Sequence, residues 1–171
     1  MDRSVIRLYL LAGASVFLAD VATKWLVVER MLLHDSIVII PDFLSLTYVQ
    51  NRGVAFGMLR DLRWAWKVPF LAGVAVLAVA LILYYGSKTP PQNRLLHWAL
   101  ALVLGGIVGN LFDRVVHGYV IDFLDFQLFD FHWPTFNVAD SAITVGVTLL
   151  MLDTLRAPRE ELGATEATKQ S

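Results

Sequence analysis

Two aspartates stand where a carboxylate is expensive. Asp140 lies at the mouth of the last long apolar run, in Phe136-Asn137-Val138-Ala139-Asp140-Ser141, and Asp122 sits between apolar neighbours in Gly118-Tyr119-Val120-Ile121-Asp122-Phe123-Leu124. A charged side chain inside a bilayer costs about 2.5–3.5 kcal/mol on insertion scales, so such a residue usually has a partner and a task. Two carboxylates brought together can share one proton, because both cannot ionise cheaply. One then acts as general base on a water molecule, the other as general acid toward a carbonyl. That is acyl hydrolysis without a metal or a covalent intermediate. Asn137 is placed to cap the helix that holds Asp140 in its first turn, so Asp140 is the expected ionised member. The helix dipole alone would explain the position of Asp140, but not the apolar run around it. Asp122 is the expected protonated member, and joint titration of the pair implies a bell-shaped pH–rate profile.

Other polar residues gather near these two. Asp20 and Lys24 are four apart, hence on one face of a helix, and an ion pair there lowers the insertion cost of both; a brace between helices is favoured over direct chemistry. Asn51 and Gly53, in Asn51-Arg52-Gly53-Val54-Ala55-Phe56, read as an ordinary turn or as an amide that bonds a peptide backbone. In Gly105-Gly106-Ile107-Val108-Gly109-Asn110-Leu111-Phe112-Asp113-Arg114, Gly105 and Gly109 have the spacing of close helix packing. Asn110, Asp113 and Arg114 fall at the boundary beyond them, where Arg114 could neutralise a carboxylate. Asp125 and Asp130 read as surface charges. The chain has no cysteine, which excludes disulfides, thiolate nucleophiles and cysteine-ligated metals. Its formal net charge of −1 gives no reason to expect nucleic acid.

The elements that must position these residues are membrane spans. The 171 residues suit one domain, apolar residues make up 57% and charged residues only 17%, and mean hydropathy is +0.60. Soluble domains carry about 25% charged residues, so lipid is the implied solvent. A span needs about 20 apolar residues, and four stretches reach or approach that length: 5–28, 68–85, 95–112 and 138–155. Arg3, Arg7 and Ala12-Gly13-Ala14 give the first the look of a signal peptide, but its apolar run continues beyond, so an uncleaved span is expected. Tyr9, Tyr84, Tyr85 and Trp98 fall near one membrane face and Trp25, Trp64, Trp66 and Trp133 near the other, as headgroup anchors. With four spans both termini share one side. That side holds seven Lys and Arg, in short connections, and the other six, which sets the termini in the cytoplasm and segments 29–67 and 113–137 outside. Parity then brings Asp20, Lys24, Asn51, Asn110, Arg114, Asp122 and Asp140 to one membrane face. Residues 36–40 and 44–49, split by Pro41-Asp42, are short strand-like runs, 57–66 suits an interfacial helix, and the tail from 156 is polar. The expected fold is an all-α membrane protein of four transmembrane helices, with a small β-rich periplasmic segment and an interfacial helix.

In this order and spacing the motifs resemble the bacterial lipoprotein signal peptidases (signal peptidase II) over nearly the whole chain. The resemblance is carried by Asp20-x-x-x-Lys24, Asn51-x-Gly53-x-Ala55-Phe56, Gly109-Asn110-Leu111-x-Asp113-Arg114, Val120-Ile121-Asp122-Phe123 and Phe136-Asn137-Val138-Ala139-Asp140-Ser141. Each is weak alone; together they are specific. The resemblance implies an aspartic endopeptidase of the bacterial inner membrane that needs no cofactor. It would remove signal peptides from prolipoproteins, cutting just before a diacylglyceryl-modified cysteine. Asp122 and Asp140 would be catalytic, with Asp20, Lys24, Asn51, Gly53, Asn110, Arg114, Asn137 and Ala139 supporting. The implied partners are that substrate and membrane lipid, with the chain acting as a monomer. Position 52 departs from the expected small polar residue by being arginine. The rival readings are a proton-coupled transporter, a Ser/Lys peptidase using Lys24 with Ser141 or Ser45, and a non-catalytic scaffold.

Overall fold

Four helices, Arg3–Arg30 (α1), Trp64–Lys88 (α2), Arg94–Val116 (α3) and Val138–Arg156 (α4), are each long and apolar enough to cross a membrane. This is a computed structural model, and it describes residues 2–53, 64–129 and 131–156. Most of the expected interfacial helix (57–63), the side chain of Trp64, Asp130 and the tail from 157 lie outside the described residues. The helices run beyond the expected apolar stretches at one or both ends. At 1.5 Å per residue the 28 residues of α1 extend about 42 Å, against a hydrocarbon core of about 30 Å.

The third helix is the hub, packing against each of the other three. Small residues allow it. A Cβ on Gly105 would lie 2.8 Å from the Gly13 carbonyl of α1, and one on Gly109 would lie 2.7 Å from a carboxylate oxygen of Asp20. Close backbone approach is what this spacing provides in a medium where apolar association brings helices little gain. In contrast, α2 touches mainly α3 and leaves most of its apolar side chains exposed, as a lipid-facing helix does.

A four-stranded antiparallel sheet lies at one end of the bundle, in the order β1 (Ser36–Ile40), β2 (Leu44–Asn51), β3 (Val120–Leu128) and β4 (Phe131–His132). The first two strands match the strand-like runs at 36–40 and 44–49. The other two lie in the segment between α3 and α4, so the sheet ties the α1–α2 and α3–α4 connections together. Val49 pairs with Asp122 and Asn51 with Val120. A buried cluster of Val27, Met31, Tyr48, Ile121 and Phe123 seats the sheet on the end of α1.

One expected anchor is not an anchor. Tyr9 is buried, with its ring edge-to-face against His97 and its hydroxyl 3.4 Å from His97 Nδ1. Trp25, Trp66, Tyr84, Tyr85, Trp98 and Trp133 are exposed, which suits headgroup-level rings.

Candidate active site

Asn137 is the N-cap of α4. Its side-chain oxygen accepts the Asp140 backbone N–H at 2.9 Å, while an Asp140 carboxylate oxygen takes the Asn137 backbone N–H at 3.3 Å. This reciprocal pair is a capping box, and it locks Asp140 in the first helical turn. The Asn137 side-chain amide points the other way and donates to Asp122 Oδ1 at 2.8 Å. One residue thus binds both aspartates, one arriving on β3 and the other on α4.

The remaining carboxylate oxygens are held by amides. Asn51, at the end of β2, donates to Asp122 Oδ2 at 2.9 Å, and its own side-chain oxygen accepts the Gly53 N–H at 2.9 Å. Asn110, on α3, donates to Asp140 Oδ1 at 2.7 Å. Its oxygen accepts from Lys24 Nζ and from the Asn137 amide, both at 3.1 Å. Burial in apolar surroundings, and then the neighbouring Asp140 carboxylate, push the Asp122 carboxyl up to about 7, against the downward pull of the Asn51 and Asn137 donors.

Beneath lies a buried ionic cluster. Lys24 Nζ is 2.6 Å from Asp20 and 2.9 Å from Asp113, with all three side chains nearly inaccessible to solvent. The second oxygen of Asp20 accepts the Ala139 backbone N–H at 2.9 Å, so α1 satisfies a free donor at the start of α4. Arg114 faces the cleft but donates to the Asn110 carbonyl at 3.1 Å. Lys24, rather than Arg114, is the ion-pair partner of Asp113. Among the described residues no buried side-chain nitrogen or oxygen lacks a partner. Asp125 is not a free surface charge, since it accepts from Thr47 Oγ1 at 3.0 Å.

Asp122 and Asp140 open into one cleft of about 1390 Å³. Asn51, Gly53, Asn110 and Arg114 line it too, with Phe126, Leu128, Phe131, Trp133 and Phe136 on the sheet side and Ile143 and Val145 on α4. Asp20, Lys24, Asn137 and Ala139 lie behind it, buried. Asp113 is expected at the boundary beside Arg114, and its contacts with Lys24 and β3 emerge only in three dimensions. Among the described residues no group of three acidic or histidine side chains is arranged to hold a metal ion.

Four membrane-length helices that gather polar side chains at one end, under an open cleft, have the build of a membrane enzyme. Two solved structures, both of bacterial membrane enzymes, match the chain with TM-scores of 0.81 and 0.77 at 31% identity; they cover 90% and 88% of this chain and 90% and 94% of their own. The family described as Signal peptidase (SPase) II matches residues 12–156. A lipoprotein signal peptidase of Symbiobacterium thermophilum is 52% identical over 141 residues, covering 82% of this chain and 90% of its own. One from Solibacter usitatus is 45% identical over 151 residues, covering 86% and 90%. The chain belongs to the signal peptidase II family and is a membrane protease.

Proposed function

We propose that this protease removes the signal peptide from prolipoproteins bearing a diacylglyceryl-modified cysteine, cutting just before that residue, with Asp122 and Asp140 activating one water molecule. The observation that carries the reading is the double contact of Asn137, which orients both carboxylates toward one cleft. The raised proton affinity of Asp122 fits a group that enters the reaction protonated.

Asp140 accepts a proton as the water oxygen attacks the scissile carbonyl carbon, and Asp122 gives its proton to the carbonyl oxygen. The tetrahedral diol then collapses. The carbon–nitrogen bond breaks, the leaving nitrogen takes the proton from Asp140, and Asp122 recovers its own from the diol hydroxyl. The apolar walls formed by Phe131, Trp133, Ile143 and Val145 suit a lipidated peptide. Each methylene buried there contributes about 0.8 kcal/mol of affinity. The site then faces the periplasm from the inner membrane, with both termini of the monomer cytoplasmic and Asp20, Lys24, Asn51, Gly53, Asn110, Arg114, Asn137 and Ala139 holding the dyad and substrate.

The serine–lysine alternative finds its residues bound to other groups. Lys24 Nζ is bound to Asp20 and Asp113, and Ser141 Oγ donates instead to the Asn137 carbonyl at 2.9 Å. The test is cleavage of a lipidated prolipoprotein peptide by the Asp122→Asn, Asp140→Asn and Ser141→Ala variants, with folding followed by circular dichroism. Folded but inactive Asn variants beside an active Ser141→Ala are expected. An active Asp122→Asn or Asp140→Asn enzyme would refute the dyad.

A further inference from the structure

We propose that Asp113 is a positioning residue that fixes Asp122 in the cleft by holding the backbone N–H of Ile121, the residue before it. This rests on the reading of Asp122 as a catalytic acid. Along one edge β3 is bonded to β2, with Asp122 opposite Val49 and Val120 opposite Asn51. Along its other edge β4 reaches only Gln127 and Leu128, and an isolated bridge joins Leu124 to Phe136. Among the described residues no strand bonds the Ile121 peptide groups on that edge, and buried backbone groups must find partners elsewhere.

Two side chains stand in for the missing strand. The Ile121 N–H donates to Asp113 Oδ2 at 3.0 Å, and the Ile121 carbonyl accepts the Asn137 amide at 3.3 Å. The same Asp113 oxygen meets Lys24 Nζ at 2.9 Å, so a two-residue link runs from the α1 ammonium to the backbone beside Asp122. Asp113 is itself almost inaccessible, at 2% exposure, which leaves its carboxylate little freedom to drift. Asn51 and Asn137 aim the Asp122 carboxyl group, while Asp113 sets where its backbone stands.

A counter-ion for Lys24 and a holder of Ile121 make opposite demands on substitution. Asp113→Glu keeps the charge but carries the carboxylate one methylene further. Asp113→Asn loses the charge and keeps an oxygen at the same place. The experiment uses the full chain in detergent micelles and reads cleavage of a lipidated peptide, together with hydrogen exchange at the Ile121 amide. In Asp113→Glu, kcat is expected to fall about 10- to 100-fold, the loss that a displacement of about 1 Å costs, with KM within about twofold. Exchange at Ile121 should quicken by about tenfold or more. Asp113→Asn should stay closer to wild type on both readouts. The reverse order, equal activities, or exchange at Ile121 that does not distinguish the two variants overturns the proposal. Exchange is read on the folded protein whatever its activity, so it still decides the point if Asp122→Asn proves active and the dyad itself fails.

Discussion

Replacing Asn137 separates two jobs that the structure gives to one side chain. Its oxygen caps α4, and its amide donates to Asp122, to Asn110 and to the Ile121 carbonyl. Asn137→Ser keeps a capping oxygen and loses the amide; Asn137→Ala loses both. A missing N-cap costs about 1 kcal/mol, and a hydrogen bond to a charged group contributes about 1.5–3 kcal/mol. The alanine variant should therefore lose about 3 kcal/mol of stability and the serine variant about 2 kcal/mol. The amide donor lowers the proton affinity of Asp122. Its removal should move the alkaline limb of the pH–rate profile up from about 7 by about one pH unit, since 1.36 kcal/mol corresponds to one unit. The assay is cleavage of a lipidated peptide between pH 5 and 9, beside thermal melts of both variants. An alkaline limb that stays in place or moves down in either variant would refute the assignment of that limb to Asp122.

Three further outcomes follow from the same contacts. Asp122 holds its proton up to about 7 in the fold, against 3.8 for a free aspartate. The folded state thus binds more protons than the unfolded chain between these values, and the stability gained is full below about pH 4 and lost as pH rises through about 7. Asp122→Asn, neutral throughout, should therefore melt higher than wild type at pH 8 by a margin on the order of 2–4 kcal/mol that closes by pH 4; a constant difference across pH would contradict the sign. Lys24→Met leaves Asp20 and Asp113 as buried carboxylates without their cation, and should cost about 3–5 kcal/mol, measured by thermal or denaturant unfolding in micelles. Gly109→Ala drives a methyl group to 2.7 Å from Asp20 Oδ2, so it should lower stability by about 1–3 kcal/mol and lower activity, with a neutral result showing that α1 can shift freely.

The spans were legible because a bilayer demands long apolar runs, and the same demand makes Asp20, Lys24, Asp122 and Asp140 conspicuous. The Asp20–Lys24 pair follows from four-residue spacing alone. Strand β3 is harder to see. Leu124-Asp125-Phe126-Gln127-Leu128 alternates as a strand should, yet Val120-Ile121-Asp122-Phe123 breaks the period, because all four residues are buried where β3 meets α1 and α3. The partner of Asp113 depends on how α1 and α3 are rotated about their glycine contact, which no single segment encodes. Tyr9 resembles a headgroup anchor until His97, 88 residues away, is found beside it. Asn137 announces its cap in sequence, but its grip on Asp122 requires the fold.

The contact from Asp20 to the Ala139 N–H closes a loop between residues 119 apart, joining the first span to the last. Until α4 enters the bilayer, Asp20 has no amide to receive, Asn110 lacks both Asp140 and Asn137, and the clamp on Ile121 is half made. On the proposed chemistry, the dyad and its supports are complete only once α4 is packed against α1 and α3.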